Sequence, residues 1–172
     1  PQAFRLSFAP NGADNRHNCR PRPPWARVVQ LAGRTMVEKV CNLWLEPAAF
    51  RCILTNGSIT PAGEAILEHR TAQEAVSRYA GVAQDLGHLL ASRGNQVHVI
   101  RPGVVSFPVM QSQYSLPSLP IIERSARQLV ELVGSQQTLL PRPGCDAGQL
   151  AWEDVAKVLA FLPDNIIVIQ YT

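Results

Sequence analysis

The residues best suited to chemistry lie between Leu139 and Val155. An apolar strand runs into Pro141-Arg142-Pro143, a loop with two glycines follows, and a helix then begins. Glycines and small residues let backbone N–H groups face one point, and the helix N-terminus adds its positive end, so this segment suits a phosphate or diphosphate. An ordinary strand-to-helix connection also uses glycines for their torsion angles, and the spacing alone does not separate the two interpretations.

Nucleotide and metal sites of the common types are not indicated. The chain has neither the G-x-G-x-x-G pattern of dinucleotide-binding folds nor a P-loop. Its cysteines, Cys19, Cys41, Cys52 and Cys145, form no C-x-x-C pair and have no histidine at ligand spacing. We therefore expect core thiols, no metal and no cofactor. A reducing compartment fits this pattern and, together with the lack of a signal-like leader, predicts a cytoplasmic protein.

The positive charge is concentrated at the start of the chain. The 172 residues include 16 lysines and arginines and 13 acidic residues, and residues 1–35 alone hold six arginines, five prolines and one acidic residue. This composition, without hydrophobic periodicity, predicts disorder over residues 1–35. The remainder is slightly negative, which removes the argument for a nucleic-acid-binding fold built on a basic surface. We expect a domain over residues 36–172, preceded by an unstructured tail or by a basic arm that binds an anionic partner.

From Met36 onward the hydrophobic period changes repeatedly between strand and helix. It predicts helices over Thr71–Arg93, with a break at Gly81, over Ile122–Val133 and over Trp152–Leu162. The predicted strands are Met36–Leu45, Phe50–Thr55, Gln96–Arg101, Val104–Val109, Thr138–Leu140 and Ile166–Ile169. Strands that alternate with helices indicate an α/β layered sheet with a ligand at the carboxyl ends of the strands. No apolar run approaches the roughly 20 residues of a membrane span.

Five motifs occur in the order in which one known family carries them. Four are Val40–Trp44, Cys52–Gly57, Val105–Val109 and Ile122–Ala126, and the fifth runs from Leu140 to Val155. Together they resemble the macrodomain (Appr-1″-p processing) family, in particular bacterial and phage members related to the terminal ADP-ribose protein glycohydrolases. The resemblance covers most of residues 37–171. It implies a three-layer α/β/α fold with a mixed central sheet and an ADP-ribose cleft.

The resemblance also implies which residues contact ADP-ribose. The loop Gly144-Cys145-Asp146-Ala147-Gly148 would hold the diphosphate and the distal ribose, with Asn56 beside that ribose. Ser106 and Phe107 would line the adenosine side, although plain core packing of Phe107 is an equal alternative. Asn42 replaces the family's acidic residue that receives the adenine amino group. Its amide oxygen still accepts that hydrogen bond, but without a charge, so adenine binding is expected to weaken.

The first phosphate loop departs from the family pattern. Both glycines of the usual G-R-G are absent from residues 63–75, where Glu68 or His69 and Arg70 stand instead. A glutamate beside a diphosphate repels it, whereas His69 and Arg70 would offset this by direct charge pairing. A solvated, charged helix start without a ligand role is the alternative.

The catalytic positions depart from the pattern as well. In the glycohydrolase relatives a lysine follows the strand that matches Val105–Val109, and an acid lies in the second loop. Here Met110 and Gly148 stand at these places, so the covalent lysine route is excluded. Asp146 is the one carboxylate of the loop that would act as a base or orient water. The alternative for Asp146 is a loop residue stabilised by the helix dipole.

We therefore expect a monomer that binds ADP-ribose, or ADP-ribosylated protein or nucleic acid, with little or no turnover. We expect no membrane partner. Two alternatives stay open: an ADP-ribosyl hydrolase that uses substrate-assisted water attack, and a degenerate domain that serves as a protein-interaction module. We also expect Gly144→Val to abolish ADP-ribose binding while leaving the fold, because a β-branched side chain would block the approach of phosphate to the loop.

Overall fold

The computed structural model describes residues 27–31, 34–146 and 149–172. Its strands are β1 (Arg27–Leu31), β2 (Arg34–Cys41), β3 (Phe50–Thr55), β4 (His98–Arg101), β5 (Val104–Pro108), β6 (Thr138–Pro141) and β7 (Ile166–Tyr171). Its helices are α1 (Arg70–Arg78), α2 (Val82–Arg93), α3 (Leu119–Val133) and α4 (Trp152–Leu159). None of the helices in this part of the chain is long and apolar enough to cross a membrane.

The strands form one mixed sheet in the order β1-β2-β7-β6-β3-β5-β4. The five inner strands run parallel, and β1 and β4 pair antiparallel at the two edges. Every residue of β5 and β6 is buried, as are the first four of β7. Parallel strands that are covered on both faces read as continuous apolar runs, which is why these strands were predictable.

Two helices cover each face of the sheet. On one face, Ala72 and Ala75 of α1 and Leu86 of α2 pack against Ile53. On the other face, α3 and α4 pack against the neighbours of Ile53 in β3 and against β5, with the fully buried Phe107 among the contacts. Alternate residues of β3 therefore face opposite helix layers. The predicted three-layer α/β/α fold with a mixed central sheet is confirmed.

The sheet begins earlier than the sequence predicts. β1 and the first two residues of β2 fall inside residues 1–35, and Val29 of β1 pairs with Met36 of β2. The prediction of disorder is therefore wrong for Arg27–Leu31 and for residues 34–35. The arginines and prolines of the segment dominate its composition and mask the short apolar run at Val28, Val29 and Leu31. Residues 1–26 lie outside the described residues, and disorder there stays a prediction.

Element ends differ from the sequence prediction by a few residues. β2 stops at Cys41 rather than Leu45, because the Asn42 side-chain oxygen accepts the Trp44 N–H at 2.9 Å and turns the chain. The predicted break at Gly81 is confirmed: this residue has φ +82° and separates α1 from α2. Such a left-handed conformation is one that glycine adopts without steric cost.

Candidate functional site

A cleft of about 250 Å³ lies at the carboxyl ends of β6 and β7, beside the N-terminus of α1. It is lined by Arg70, Thr71, Pro141, Arg142, Cys145, Asp146, Gln170 and Tyr171. The carboxyl ends of parallel strands are where open α/β sheets bind their ligands. The cleft is therefore the candidate functional site.

The connection from β6 to α4 forms one wall of the cleft. Immediately after β6, the Arg142 N–H donates to the Ile169 carbonyl at 2.9 Å, which keeps the start of the connection against β7. Gly144 then turns the chain with φ +73°. The Leu150 N–H donates to the Gly144 carbonyl at 3.1 Å and closes the loop. Ala147 and Gly148, which the family resemblance assigns to the diphosphate, lie outside the described residues.

Cys145 is a packing residue of this wall. Its Sγ lies 3.6 Å from the Pro143 carbonyl, and burial raises the pKa of the thiol. Cys52, in the middle of β3, is fully buried, and burial raises its pKa as well. A raised thiol pKa lowers the fraction of the reactive thiolate, so neither residue is a good nucleophile.

Arg142 is held by a buried acid and an aromatic ring. Its Nε donates to Glu38 Oε1 at 2.6 Å, and Nη2 donates to the same oxygen. The guanidinium also lies 4.4 Å from the centre of the Trp152 ring. The Glu38 side chain is only 9% exposed, so its charge depends on Arg142 for compensation. This pair ties the β6–α4 loop to β2 across the intervening strand β7.

Glu74 accepts hydrogen bonds from three side chains, two of which line the cleft. Its carboxylate accepts the Trp44 indole N–H at 2.8 Å, the Arg70 Nε–H at 3.2 Å and the Tyr171 hydroxyl. Burial opposes ionisation of Glu74, but these hydrogen bonds outweigh it and lower its pKa. Burial, and then the bond to Glu74, raise the pKa of Tyr171 to about 12. The Arg70 guanidinium lies 4.4 Å from the centre of the Tyr171 ring.

His69 and Asp146 join the two predicted loops. Their Nδ1 and Oδ2 atoms are 3.6 Å apart, with the His69 side chain 12% exposed and the Asp146 side chain 59% exposed. The first turn of α1 contains no acidic residue, and no side chain caps it. The positive end of α1 is therefore not offset by a carboxylate from its own first turn.

Five of the predicted site residues come together here. Arg70, Cys145 and Asp146 line the cleft, and His69 contacts Asp146. Gly144 belongs to the loop that forms the wall. Sequence reasoning missed Arg142, Glu38, Gln170 and Tyr171 as parts of the site. Arg142 had a signal, since it stands between two prolines in the richest motif, whereas its partner Glu38 is 104 residues away in the chain.

Two predicted asparagines do not line the cleft. Asn56 is 1% exposed, and its amide is engaged in the β3–α1 connection: Nδ2 donates to the Ile66 carbonyl at 3.1 Å, and Oδ1 accepts the Ser58 N–H at 2.8 Å. The Asn42 side-chain oxygen accepts the Trp44 N–H in the turn that follows β2. Both side chains thus shape the loops around the site rather than offer free polar atoms within it.

Ser106 and Phe107 belong to the core, not to the cleft. Ser106 is 1% exposed, and its Oγ accepts the His98 N–H at 2.9 Å. Phe107 is fully buried in the cluster beneath α3. The alternative of core packing is the one that the structure shows for Phe107. Neither side chain presents surface to an adenosine, because Ser106 is buried against β4 and Phe107 is buried beneath α3.

The structure also corrects the expectation for Gly144→Val. An added Cβ at Gly144 would lie 2.8 Å from Leu150 Cδ1 and 3.0 Å from Pro117 Cβ. A side chain there would therefore press into the packed side of the loop, in addition to its strain at φ +73°. The substitution is expected to disturb the fold, so it does not isolate ligand binding.

Met110 lies in the core as well. It is 6% exposed and packs in the same cluster as Phe107, and its carbonyl accepts the Asn95 amide at 3.0 Å. A lysine at this position would place an ammonium group among apolar side chains, which is strongly unfavourable. Met110→Lys, which would introduce the lysine of the glycohydrolases that the sequence resembles, is therefore expected to destabilise the protein rather than to create a nucleophile.

Comparison with known proteins identifies the fold. No protein-family model and no curated protein sequence matches the chain. The macrodomain of Mycobacterium tuberculosis DarG is 14% identical, with a TM-score of 0.62, over 80% of this chain and 99% of that chain. The macrodomain of Thermus aquaticus DarG is 16% identical, with a TM-score of 0.59, over 78% and 96% of the two chains.

A third similar structure is Thermosipho africanus DarTG in complex with ADP-ribose. It is 14% identical, with a TM-score of 0.61, over 83% of this chain and 43% of that chain. The shared architecture extends over most of the described residues in all three comparisons. The chain therefore has the macrodomain fold, as the sequence resemblance predicts.

Proposed function

We propose that this chain, which has the macrodomain fold, binds ADP-ribose or an ADP-ribosylated macromolecule in the cleft at the ends of β6 and β7, with little or no turnover. The observation that carries the proposal is the pair of guanidinium groups, Arg70 and Arg142, at that edge of the sheet beside the N-terminus of α1. Guanidinium groups and helix N-termini are common binders of phosphate. The DarTG structure, of similar fold, contains ADP-ribose, which supports this ligand for the cleft.

The charges of the cleft favour weak binding. Arg70 already contacts Glu74, Arg142 already contacts Glu38, and Asp146 adds a further exposed carboxylate. A diphosphate therefore competes with carboxylates for both guanidinium groups. The volume of about 250 Å³ is also just below the roughly 300–1,000 Å³ of typical small-molecule sites. We expect part of the ligand to lie outside the enclosed cleft.

Little turnover is expected from the same residues. The lysine that attacks the sugar in the glycohydrolase relatives is replaced by the buried Met110. The residues lining the cleft include no lysine, and Cys145 has a raised pKa. These features remove the covalent routes that are open to the relatives.

One observation favours hydrolase activity as the second candidate function. Asp146 is an exposed carboxylate on the wall of the cleft, with the His69 imidazole 3.6 Å away. An exposed carboxylate beside an imidazole can position a water molecule and accept its proton. In this mechanism Asp146 takes a proton from the water as its oxygen bonds to the anomeric carbon. The bond from that carbon to the macromolecule breaks with its electron pair on the leaving group, which receives the proton from Asp146 directly or through solvent. An interaction module without a ligand is the remaining alternative.

Calorimetric titration with ADP-ribose tests the binding proposal. We expect measurable binding to the wild type and a loss of about tenfold for Arg70→Met, the scale of one hydrogen bond to a charged group. Arg127→Met is the matched control. Arg127 also bonds a glutamate one helical turn away, lies over an aromatic ring and is equally exposed, but it belongs to α3. No heat with ADP-ribose would contradict both the binding and the hydrolase functions.

Release of ADP-ribose from a modified protein or oligonucleotide separates the two remaining functions. We expect release far below the roughly 1 per second of ordinary enzymes. If release is fast and Asp146→Asn abolishes it while ADP-ribose still binds, the protein is a hydrolase and Asp146 is its catalytic residue.

A further inference from the structure

A second cavity, of about 520 Å³, lies at the other end of α1 and is lined by Trp44, Arg51, Arg78 and Tyr79. We refer to it as the flank cavity. Arg70 of the cleft and Arg78 of the flank cavity are eight residues apart on α1, about 12 Å at 1.5 Å per residue. The flank cavity is therefore a separate place on the surface, and its function does not depend on ADP-ribose binding.

Arg51 is fixed in this cavity by backbone carbonyls. Its Nε donates to the Leu43 carbonyl at 3.0 Å, Nη2 to the Glu46 carbonyl at 2.6 Å and Nη1 to the Ala48 carbonyl at 3.3 Å. A guanidinium has more N–H groups than these three bonds use. Among the described residues Arg51 forms no ion pair, so its position is set while its charge remains uncompensated.

Arg78 supplies the second positive charge. It is exposed and lies over the Trp44 ring, 5.1 Å from its centre, and it forms no ion pair within the described ranges. The two acidic residues that contact the lining side chains are already engaged. Glu46 pairs with Lys39, and Glu74 accepts from Trp44, Tyr171 and Arg70.

Two aromatic rings complete the lining. The centroids of Trp44 and Tyr79 are 6.0 Å apart and their planes are tilted by 51°. The indole N–H of Trp44 donates to Glu74, which fixes the orientation of the ring. Two cations beside aromatic rings are the combination that binds a phosphate together with a base, since guanidinium groups hold phosphate and bases stack on aromatic faces.

We propose that the flank cavity is a nucleotide-binding site, in which Arg51 and Arg78 bind the phosphate and the base packs against Trp44 or Tyr79. The volume lies within the roughly 300–1,000 Å³ of small-molecule sites. The C-terminal end of the α1 dipole opposes an anion here, but this effect is weaker than charge-assisted hydrogen bonds from two guanidinium groups. The nucleotide is either free or one unit of a single strand.

Calorimetric titration with uridine monophosphate, inorganic phosphate and hexauridylate tests the proposal. A pyrimidine is used so that adenosine binding in the cleft does not contribute. We expect uridine monophosphate to bind more tightly than inorganic phosphate and more weakly as salt is raised. If hexauridylate binds more tightly than uridine monophosphate, the site takes a single strand. If the two bind with equal affinity per site, it takes a free nucleotide. No binding of either nucleotide, or equal binding of phosphate and nucleotide, overturns the proposal.

Three variants locate the binding. Arg78→Met removes an exposed side chain and is expected to weaken nucleotide binding at least about tenfold without unfolding. Arg51→Lys keeps a charge but loses the fork of N–H groups, and is expected to act in the same direction. Arg127→Met, on α3, is the control and is expected to leave binding unchanged. If Arg78→Met has no effect, or if Arg70→Met abolishes binding, the nucleotide lies elsewhere and the proposal fails.

Discussion

The cleft and the flank cavity each contain two arginines beside aromatic rings, but they hold them in opposite ways. In the cleft, Arg70 and Arg142 contact the carboxylates of Glu74 and Glu38. In the flank cavity, Arg51 bonds only backbone carbonyls within the described part of the chain. A carboxylate fixes a guanidinium and neutralises it, whereas carbonyls fix it and leave its charge available for a ligand.

The two arrangements also differ in what they do for the fold. Arg142 joins the β6–α4 loop to β2 by an ion pair that is mostly out of water. Arg51, at the start of β3, holds three carbonyls of the connection that precedes that strand. Loss of a partner should therefore be costly in the first case and moderate in the second, because a buried unpaired charge is worse than a solvated carbonyl.

Removing the charge of Glu38 should have the largest effect on stability. We expect Glu38→Gln to lower the free energy of unfolding by about 3 kcal/mol, the lower end for a broken buried pair, because Arg142 is partly exposed. Urea denaturation measures this. Glu123→Gln, which breaks the exposed pair with Arg127, is the control and should cost less than about 0.5 kcal/mol. A cost for Glu38→Gln as small as that of the control would mean that the pair does not hold the loop.

The conformation of the cleft loop gives the next largest effect. We expect Gly144→Ala to cost about 2 kcal/mol or more, because it adds contacts of 2.8–3.1 Å with packed side chains to the strain at positive φ. Gly63→Ala is the control: Gly63 has φ +83°, but nothing lies within 4 Å of its added Cβ. It should cost about 1 kcal/mol, from backbone strain alone. Equal losses in thermal unfolding would show that the loop relaxes around the methyl group.

Much of the fold was predictable because local patterns agree with it. Phe50–Thr55 was predicted with its bounds, and the glycine break between α1 and α2 is where the chain requires a positive φ. β1 was missed, since its three apolar residues lie among arginines and prolines, and its pairing with β2 is a contact that composition does not reveal. Edge strands of this kind depend on tertiary pairing, which periodicity does not reveal.

The site was predictable only where the loop motif itself carries it. Cys145 and Asp146 were found because they follow the strand in the motif, and Arg70 because it stands where the resemblance places the first phosphate loop. The pairing of Arg142 with Glu38 joins residues 104 positions apart, and no local pattern contains it. Asn56 and Phe107 were assigned to a ligand by resemblance, but their burial depends on how the connections fold over the strand ends. The flank cavity has no sequence motif, since its residues come from a turn, a strand and a helix end.

In the flank cavity, replacing Arg51 should have a moderate effect on stability. We expect Arg51→Met to cost about 1.5 kcal/mol, because three hydrogen bonds from a charged group are lost while the freed carbonyls gain water. Arg78→Met should cost less than about 0.5 kcal/mol, because its side chain is exposed. Urea denaturation of both variants provides the measurement. A cost for Arg51→Met near that of Glu38→Gln would remove the distinction between carbonyl and carboxylate partners.

The smallest effect concerns Glu74, whose carboxylate contacts Arg70 and Tyr171 of the cleft and Trp44 of the flank cavity. Burial and the bond to Glu74 raise the Tyr171 pKa from 10.0 to about 12. The protonated phenol is the form that the fold favours, so its contribution to stability is complete below pH 10 and is lost as the pH rises towards 12. We expect Glu74→Gln to lower the Tyr171 pKa, because it removes the negative charge beside the phenol while burial remains. Ultraviolet absorbance of the phenolate, with Tyr171→Phe to identify the signal, follows this titration. An unchanged titration in Glu74→Gln would show that burial alone sets the pKa of Tyr171.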